Sequence, residues 1–422
     1  MIRIKDIQNS LYSLIGFRGD NDNGRVSEYM QRSESGLFYE DEHAMLTANN
    51  IRNIVPMEWK PIVSRWKENE LYEADNMVCY GGRYYVCKGK TLANPLDTSI
   101  WQELTDFEVL LRQKASRSIA KLVNRFLDDK KNELETKSLL ESKYLFNQAG
   151  RIGDTIANKG RIVGLELSTP KYKSVSTRIH RIGIQTKGLG EIDIYLFHNS
   201  NPMPVAKKTI NKTINGAMQW YDVDWVLPYV TENQDSGGAW YVCYWEDDLG
   251  EMQAVRKNYD FAKQPCTSCN GAEHSNYQAW SRYLGVNPFY TNGDDARELW
   301  DIANNIYTSD NNYGLNLSVG VECDLTDFII EQKGMFANAL SKQFAVDMLS
   351  DMYYNGSGRI NYTSQNGNYE KLDTDLNGDG IGKKVGMKYE LEQAIKALKV
   401  DVRGVDEVCL PCRRKGLKFG KI

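Results

Sequence analysis

The sequence predicts an α+β multidomain protein: a central antiparallel β-sandwich or jelly roll, flanked by an α-helical hairpin with a small β module and by a C-terminal α-rich domain. Three observations predict it. Side chains alternate with a period of two at residues 192–197, 218–225 and 239–245, the pattern of half-buried strands. Further strand-like runs at 162–167, 177–185 and 252–257, separated by turn clusters at 198–204 and 232–238, place a series of short strands in one segment without a helical pattern between them. On either side the apolar period changes to that of a helix.

A chain of 422 residues is too long for one core and predicts roughly two to four domains. The boundaries fall at 1–65, an N-terminal arm with short helices; 66–104, a small aromatic β unit; 105–159, a helical hairpin or bundle; 160–261, the sandwich; and 262–422, a mixed α/β domain. In the arm, Ile4, Ile7, Leu11, Leu14 and Ile15 have helical spacing, and Thr47 is placed to cap a short helix that Pro56 ends. Taken alone, this arm suits a segment that becomes ordered on a neighbouring subunit. From Thr105 a capping box, Thr105 to Glu108, opens a helix whose Leu111, Ala115, Ile119, Leu122 and Phe126 form one stripe. Its opposite face carries Arg112, Lys114, Arg117, Lys121 and Arg125, which suits a solvated face, an acidic neighbour or nucleic acid. Leu134, Leu139, Leu140, Tyr144 and Leu145 predict the second helix of the hairpin. Residues 296–307 predict a short helix and 314–322 a strand. Phe336, Leu340, Phe344, Met348 and Met352 predict a long helix capped by Asp324 or Thr326, and Met387, Leu391, Ile395 and Leu398 a final one before a basic tail.

Charged residues make up 26% of the chain and the net charge is −4, which argues against a general nucleic-acid binder. The first residues hold no apolar signal-peptide core, and no run approaches the roughly 18 apolar residues of a membrane span. The expectation is a soluble chain made in a cytoplasm. Its 25 Tyr and 9 Trp suit binding surfaces, subunit interfaces or an all-β core.

Candidate chemistry is confined to a few places. Cys266, Cys269, Cys409 and Cys412 form two CxxC pairs, and four thiolates are the set a tetrahedral structural zinc takes. A disulfide within the fold and unpaired cysteines are the other readings, a reducing compartment favours metal or free thiols, and the thioredoxin-like βαβ context that a redox CxxC wants is not visible in the sequence. Cys79, Cys87, Cys243 and Cys323 lie in apolar contexts. Asp373, Asp375, Asn377 and Asp379 with Gly378 match the first half of a calcium loop. Lys384 stands where an EF-hand needs its bidentate Glu, so the readings are a partial calcium site or plain turn structure. The histidines His43, His180, His198 and His274 are scattered, no nucleophile, zinc-protease or phosphate-loop motif occurs, and the chain is read as a non-enzyme.

Two resemblances follow from the residues. Trp66, Tyr72, Val78, Tyr80, Gly82, Tyr84, Tyr85 and Trp101, with a turn at Gly81 and Gly82, occur in the order seen in small chitin-binding-like carbohydrate modules. That resemblance implies glycan stacking on Trp66, Tyr72, Tyr80, Tyr84, Tyr85 and Trp101, although the same rings suit a structural spacer. The chain also resembles neck or ring proteins that join portal to tail in crAss-like phages of Bacteroides. The segments YLFNQAGRIGDTIANKGRIVGLEL, RIHRIGIQTKGLGEIDIYLFHNSNP (taken as a strand pair), GGAWYVCYWEDDLGEMQAV and GLNLSVGVECDLTDFI carry it. It implies a structural virion protein in a homo-oligomeric ring, dodecameric on a portal. The expected partners are portal and other neck or tail proteins, with no membrane and no nucleic-acid contact beyond the channel. The alternative is a tail or adhesin protein that recognises bacterial surface glycans.

Overall fold

Two antiparallel sheets take up the apolar strands of the middle of the chain. In the computed structural model a six-stranded sheet has the order β10 (Asn201–Lys212), β9 (Gly190–His198), β12 (Ala239–Trp245), β7 (Ile162–Ser168), β14 (Gly285–Thr291), β15 (Asn305–Tyr307). The second has the order β11 (Met218–Leu227), β8 (Val175–Lys187), β16 (Leu315–Cys323), β6 (Ser138–Tyr144), with β13 (Gln253–Ala254) beside β8. Described here are residues 2–18, 26–53, 60–68, 72–89, 91–130, 137–147, 154–169, 174–227, 238–269, 271–291, 302–355, 362–380, 382, 385–399 and 409.

Register explains the burial. Trp240 opposes Leu167, Val242 opposes Leu165 and Tyr244 opposes Val163, so one face of the first sheet is a continuous apolar row. In the second sheet Leu315 opposes Ile184 and Leu317 opposes Ile182. All ten side chains are buried, and the Tyr244 hydroxyl donates to the Tyr313 carbonyl, ahead of β16, at 2.8 Å. The arrangement is sandwich-like. A buried ion pair secures its rim: Arg161 donates from Nη2 and Nε to Glu246 at 2.9 and 3.0 Å, and its guanidinium lies over the Tyr290 ring. The helix α6 (Gly271–Trp280) is held to these strands at both ends. Glu273 accepts from Asn147 N at 2.6 Å and pairs with Lys257 at 2.8 Å, and Trp280 donates to the Leu145 carbonyl at 2.9 Å.

The chain divides into two compact units: 135–325 with 404–422, and 2–134 with 326–403. This corrects several expected boundaries. The segment read as a second helix is β6, paired with β16; Leu139, Leu140, Tyr144 and Leu145 satisfy either period, and a partner far along the chain decides for the strand. The unit at 105–159 is therefore not a helical hairpin. The sandwich extends beyond 160–261 because β6, β14, β15 and β16 join its sheets. Of the helix expected at 296–307, residues 305–307 form β15 and residues 296–301 lie outside the described residues. β8 and β9, read as a pair, lie in different sheets. The chain turns between them at Gly188, where φ is +97° and Met252 fills the space beside it. The domain expected at 262–422 is divided, its strands and α6 going to the sandwich unit and its helices from Thr326 onward to the other.

That second unit centres on α5 (Asp106–Asp129), opened by the expected capping box. Leu111, Ala115, Ile119, Leu122 and Phe126 are all buried, with Phe126 edge-on to Phe336 at 5.0 Å. The long helix is interrupted as α7 (Thr326–Glu331), a short 3-10 turn, and α8 (Ala337–Asn355). α9 (Tyr362–Asn377) and α10 (Met387–Lys396) follow. The N-terminal residues pack within this unit. In α1 (Ile4–Tyr12) Ile7 and Leu11 are fully buried, Arg3 N donates to Thr326 Oγ1 at 2.8 Å, and Arg3 pairs with Asp327. Phe17 and Tyr39 pack on Phe344 of α8. The basic face of α5 meets an acidic one within the same unit: Lys121 pairs with Asp347 at 2.6 Å and Lys114 with Asp351 at 2.5 Å.

Two outcomes test this fold. A Cβ at Gly164 would run into the Val242 carbonyl and the Cys243 side chain, so Gly164→Ala is expected to destabilise the sandwich unit by about 2–3 kcal/mol, read as a lowered denaturant midpoint. Burial pushes the Glu40 carboxyl from its ordinary 4.5 up to about 7, and its Oε2 has no hydrogen-bond partner among the described residues. Because the folded value is the higher one, this contribution to stability is complete below about 4.5 and lost as pH rises through about 7. The difference in melting temperature between pH 4.5 and pH 8 should be smaller in Glu40→Gln than in the wild type; equal differences would refute the assignment.

Candidate functional site

The aromatic unit forms a three-stranded sheet of β3 (Met77–Tyr80), β4 (Arg83–Cys87) and β5 (Trp101–Leu104). Gly81 and Gly82 make its hairpin turn with φ of +58° and +79°, a conformation that excludes most side chains. The six rings divide into two groups. Tyr72, Tyr85 and Trp101 are buried with Val78 and Cys87 in the module's own core, where Tyr72 and Trp101 meet edge-to-face at 5.4 Å. Trp101 Nε1 donates to the Ala93 carbonyl at 3.0 Å, and Lys67 N donates to the Tyr72 hydroxyl at 2.8 Å. These three rings supply core rather than a binding face. Trp66, Tyr80 and Tyr84 are half-buried. Trp66 and Tyr80 form an edge-to-face pair with centroids 5.4 Å apart, and Asn94 donates to the Tyr80 hydroxyl at 3.0 Å. The surface available for stacking is thus half the set that the resemblance names.

The four-cysteine zinc site is overturned. Cys409 is buried in a disulfide with Cys323, Cα to Cα 5.6 Å, so its sulfur is committed to Cys323 and not to a metal. Cys412 lies outside the described residues. Cys266 and Cys269 are free and exposed. The Cys266 Sγ lies 3.0 Å from the Ser268 hydroxyl, and that hydroxyl 3.8 Å from the Cys269 Sγ. Hydrogen bonds from Ser268 first, then from the backbone and Cys269, lower the Cys266 thiol to about 7.

The calcium-loop reading also fails. Asp373, Asp375 and Asn377 belong to α9, and Asp379 follows its end. Successive helical residues rotate by about 100°, so positions two apart point to opposite sides and their carboxylates cannot converge. Their oxygens have other partners: Asn377 donates to Asp373 Oδ1 at 2.7 Å, and Asp375 Oδ2 meets His43 Nε2 at 3.0 Å. Among the described residues no group of three or more His, Cys, Asp or Glu is arranged to hold a metal ion, and no helix is long and apolar enough to cross a membrane.

One constellation was missed in the sequence. Glu166 of β7 is buried on the face of the six-stranded sheet that also carries Phe197, Tyr241, Cys243 and Phe289. It accepts from Tyr307 Oη at 2.6 Å, and from Asn287 Nδ2 and Ser168 Oγ each at 3.2 Å. The signal was present, a lone carboxylate within IVGLELS. What it lacked was the identity of two of its three donors, Asn287 and Tyr307, which lie 121 and 141 residues away. Burial first, and then the Glu166 charge, raise the Tyr241 phenol well above its ordinary range. This is a saturated carboxylate with a single negative charge, unlike the facing pair that glycoside hydrolysis uses. In the helical unit a groove of about 490 Å³ lies along Lys121, Arg125, Asp347, Lys388 and Glu392. Lys121 there is paired with Asp347 and Lys388 with Asn377.

No protein-family model, no curated protein and no solved structure matches the chain.

The aromatic core yields one prediction. Trp101→Ala removes the largest buried ring of a module with few others and should cost about 3–5 kcal/mol, seen as loss of protease resistance at 66–104. Unchanged resistance would mean that the rings do not form its core.

Proposed function

We propose that the chain is a structural, non-enzymatic virion protein of a tailed phage, a subunit of the neck or tail ring that connects portal to tail, and twelve-fold where it sits on the portal. The observation that carries this reading is a sheet with two unlike edges. Among the described residues β10 pairs only with β9 and β15 only with β14. β10 presents Val205 and β15 presents Ile306, both exposed apolar side chains. An interface between unlike surfaces is heterologous, and one whose rotation closes produces a ring. Open strand edges are also templates for pairing with another chain. The segments that carry the resemblance to neck proteins supply β7, β8, β9, β12, β13 and β16, which lie in or beside one pair of sheets, and the last of them runs on into α7.

The test is mass photometry and negative-stain imaging of the purified full chain. Closed rings of many copies are expected, and Val205→Lys with Ile306→Lys should weaken assembly about tenfold or more, because it sets like charges on the two edges. A monomer at micromolar concentration, or a three-fold spike in virions, would sink the proposal.

A second reading rests on the half-buried Trp66, Tyr80 and Tyr84: a tail or adhesin protein that binds bacterial surface glycans. Titration of the full chain with chitin or peptidoglycan oligosaccharide decides between them. Saturable binding abolished by Tyr84→Ala without loss of folding would favour the adhesin.

A further inference from the structure

The CxxC pair at Cys266 and Cys269 has a setting that its sequence did not show. It lies directly ahead of α6, and that helix is fixed by the buried Glu273 and Trp280. The loop itself is tied down, since His274 of the helix donates from Nδ1 to the Pro265 carbonyl at 2.8 Å. Both thiols are exposed and in reduced form, and one hydroxyl, that of Ser268, lies between them. The remaining cysteines described differ. Cys87 and Cys243 are buried, Cys79 is half-buried, and Cys323 and Cys409 are joined.

We propose that Cys266 and Cys269 form a thiol–disulfide exchange site that reacts with small soluble disulfides and closes to an intramolecular disulfide. Cys266 is the nucleophile. Its sulfur attacks one sulfur of the incoming disulfide, a Cys266–substrate S–S bond forms, the substrate's S–S bond breaks, and the departing thiolate takes up a proton from water. Cys269 then loses its proton and attacks Cys266, expelling the second thiolate, which is protonated in turn. The protein is oxidised by two electrons and the small disulfide is reduced to two thiols. Three features support this assignment. Attack and closure need accessible sulfurs separated by a short loop, which the pair supplies. The Ser268 hydroxyl stabilises negative charge on sulfur. A thiol titrating near neutrality is also close to the optimum for exchange. The site goes beyond the ring reading and does not depend on it.

The test uses the full chain, folded, in glutathione redox buffers at pH 7, with acid quenching, alkylation and mass spectrometry of the tryptic peptide 264–282, which contains only these two cysteines. In the wild type the peptide should lose two hydrogens, with little glutathione adduct. Cys269→Ser should trap glutathione on Cys266, Cys266→Ser should form little adduct on Cys269, and Ser268→Ala should slow alkylation of Cys266 about threefold. Three results would each overturn the proposal: a wild-type peptide that stays reduced, one that accumulates adduct without closing, or Cys266→Ser reacting as fast as the wild type. All three substitutions are at exposed positions, and an unchanged thermal melt separates loss of reactivity from loss of fold.

Discussion

The helical unit is closed by a stretch of chain that returns to it after almost two hundred residues, and its other features follow from that. Residues 326–403 come back to residues 2–134, and the closure cost of so long a loop must be offset by contacts that form only on return. The contacts are of two kinds. Apolar side chains of α8 pack against the N-terminal segments, as Phe344 does against Phe17 and Tyr39. Charged pairs then fix the register: Arg3 with Asp327, Lys333 with Glu34, Lys342 with Glu42, and Lys114 and Lys121 with Asp351 and Asp347. Partly exposed pairs contribute little stability individually, so specificity of docking is their larger effect.

Within this unit α5 also carries two buried charges. Arg112 is almost fully buried, beside the stacked rings of Tyr12 and Tyr29, with its guanidinium 4.6 and 5.3 Å from their centroids. It donates to Asn9 and to the Asp75 carbonyl, so one cation joins the N-terminal helix, the loop after it and the aromatic module. Burial lowers its pKa to about 10, still above neutrality, and the ring faces and Asp75 offset part of the desolvation. Glu108, four residues earlier, accepts from Thr105 N at 2.8 Å and from Ser27 N at 2.6 Å. The helix cap is thus also a tertiary contact.

The sandwich unit solves a similar problem differently. β16 enters between β8 and β6, and its last residue, Cys323, is joined to Cys409. The crosslink therefore holds Cys409 at the end of a central strand. Unlike the helical unit, where ion pairs lie along the contact between helices, this unit buries its few charges as saturated clusters. Glu166, Glu246 and Glu273 each accept several donors, the condition under which a buried carboxylate is tolerated. Surface chemistry is left to other residues: the apolar edges of the six-stranded sheet, the half-buried rings of the aromatic module and the CxxC loop.

Local chemistry was legible in the sequence. The alternation in 192–197 and 239–245 specified β9 and β12, the Thr105–Glu108 box fixed the start of α5, and Gly81 with Gly82 fixed a hairpin, because each depends on neighbours a few residues away. The α+β class followed from these. Pairing was not legible. Leu139, Leu140 and Tyr144 fit two periods until β16 supplies hydrogen bonds, and the turn cluster read at 198–204 covers the residues where the edge strand β10 begins. The metal readings failed for the same reason. CxxC and Asp-x-Asp-x-Asn spacing describe which ligands are near in sequence, whereas a site needs them near in space. A helix through Asp373 and Asp375 separates one set, and Cys323, which sequence spacing had not linked to Cys409, takes a sulfur from the other. Sequence alone determined the elements whose signals are local, such as β9, β12 and the start of α5, and which side chains are apolar. Only the tertiary structure decided which segments meet, since that choice is made by contacts between residues hundreds of positions apart.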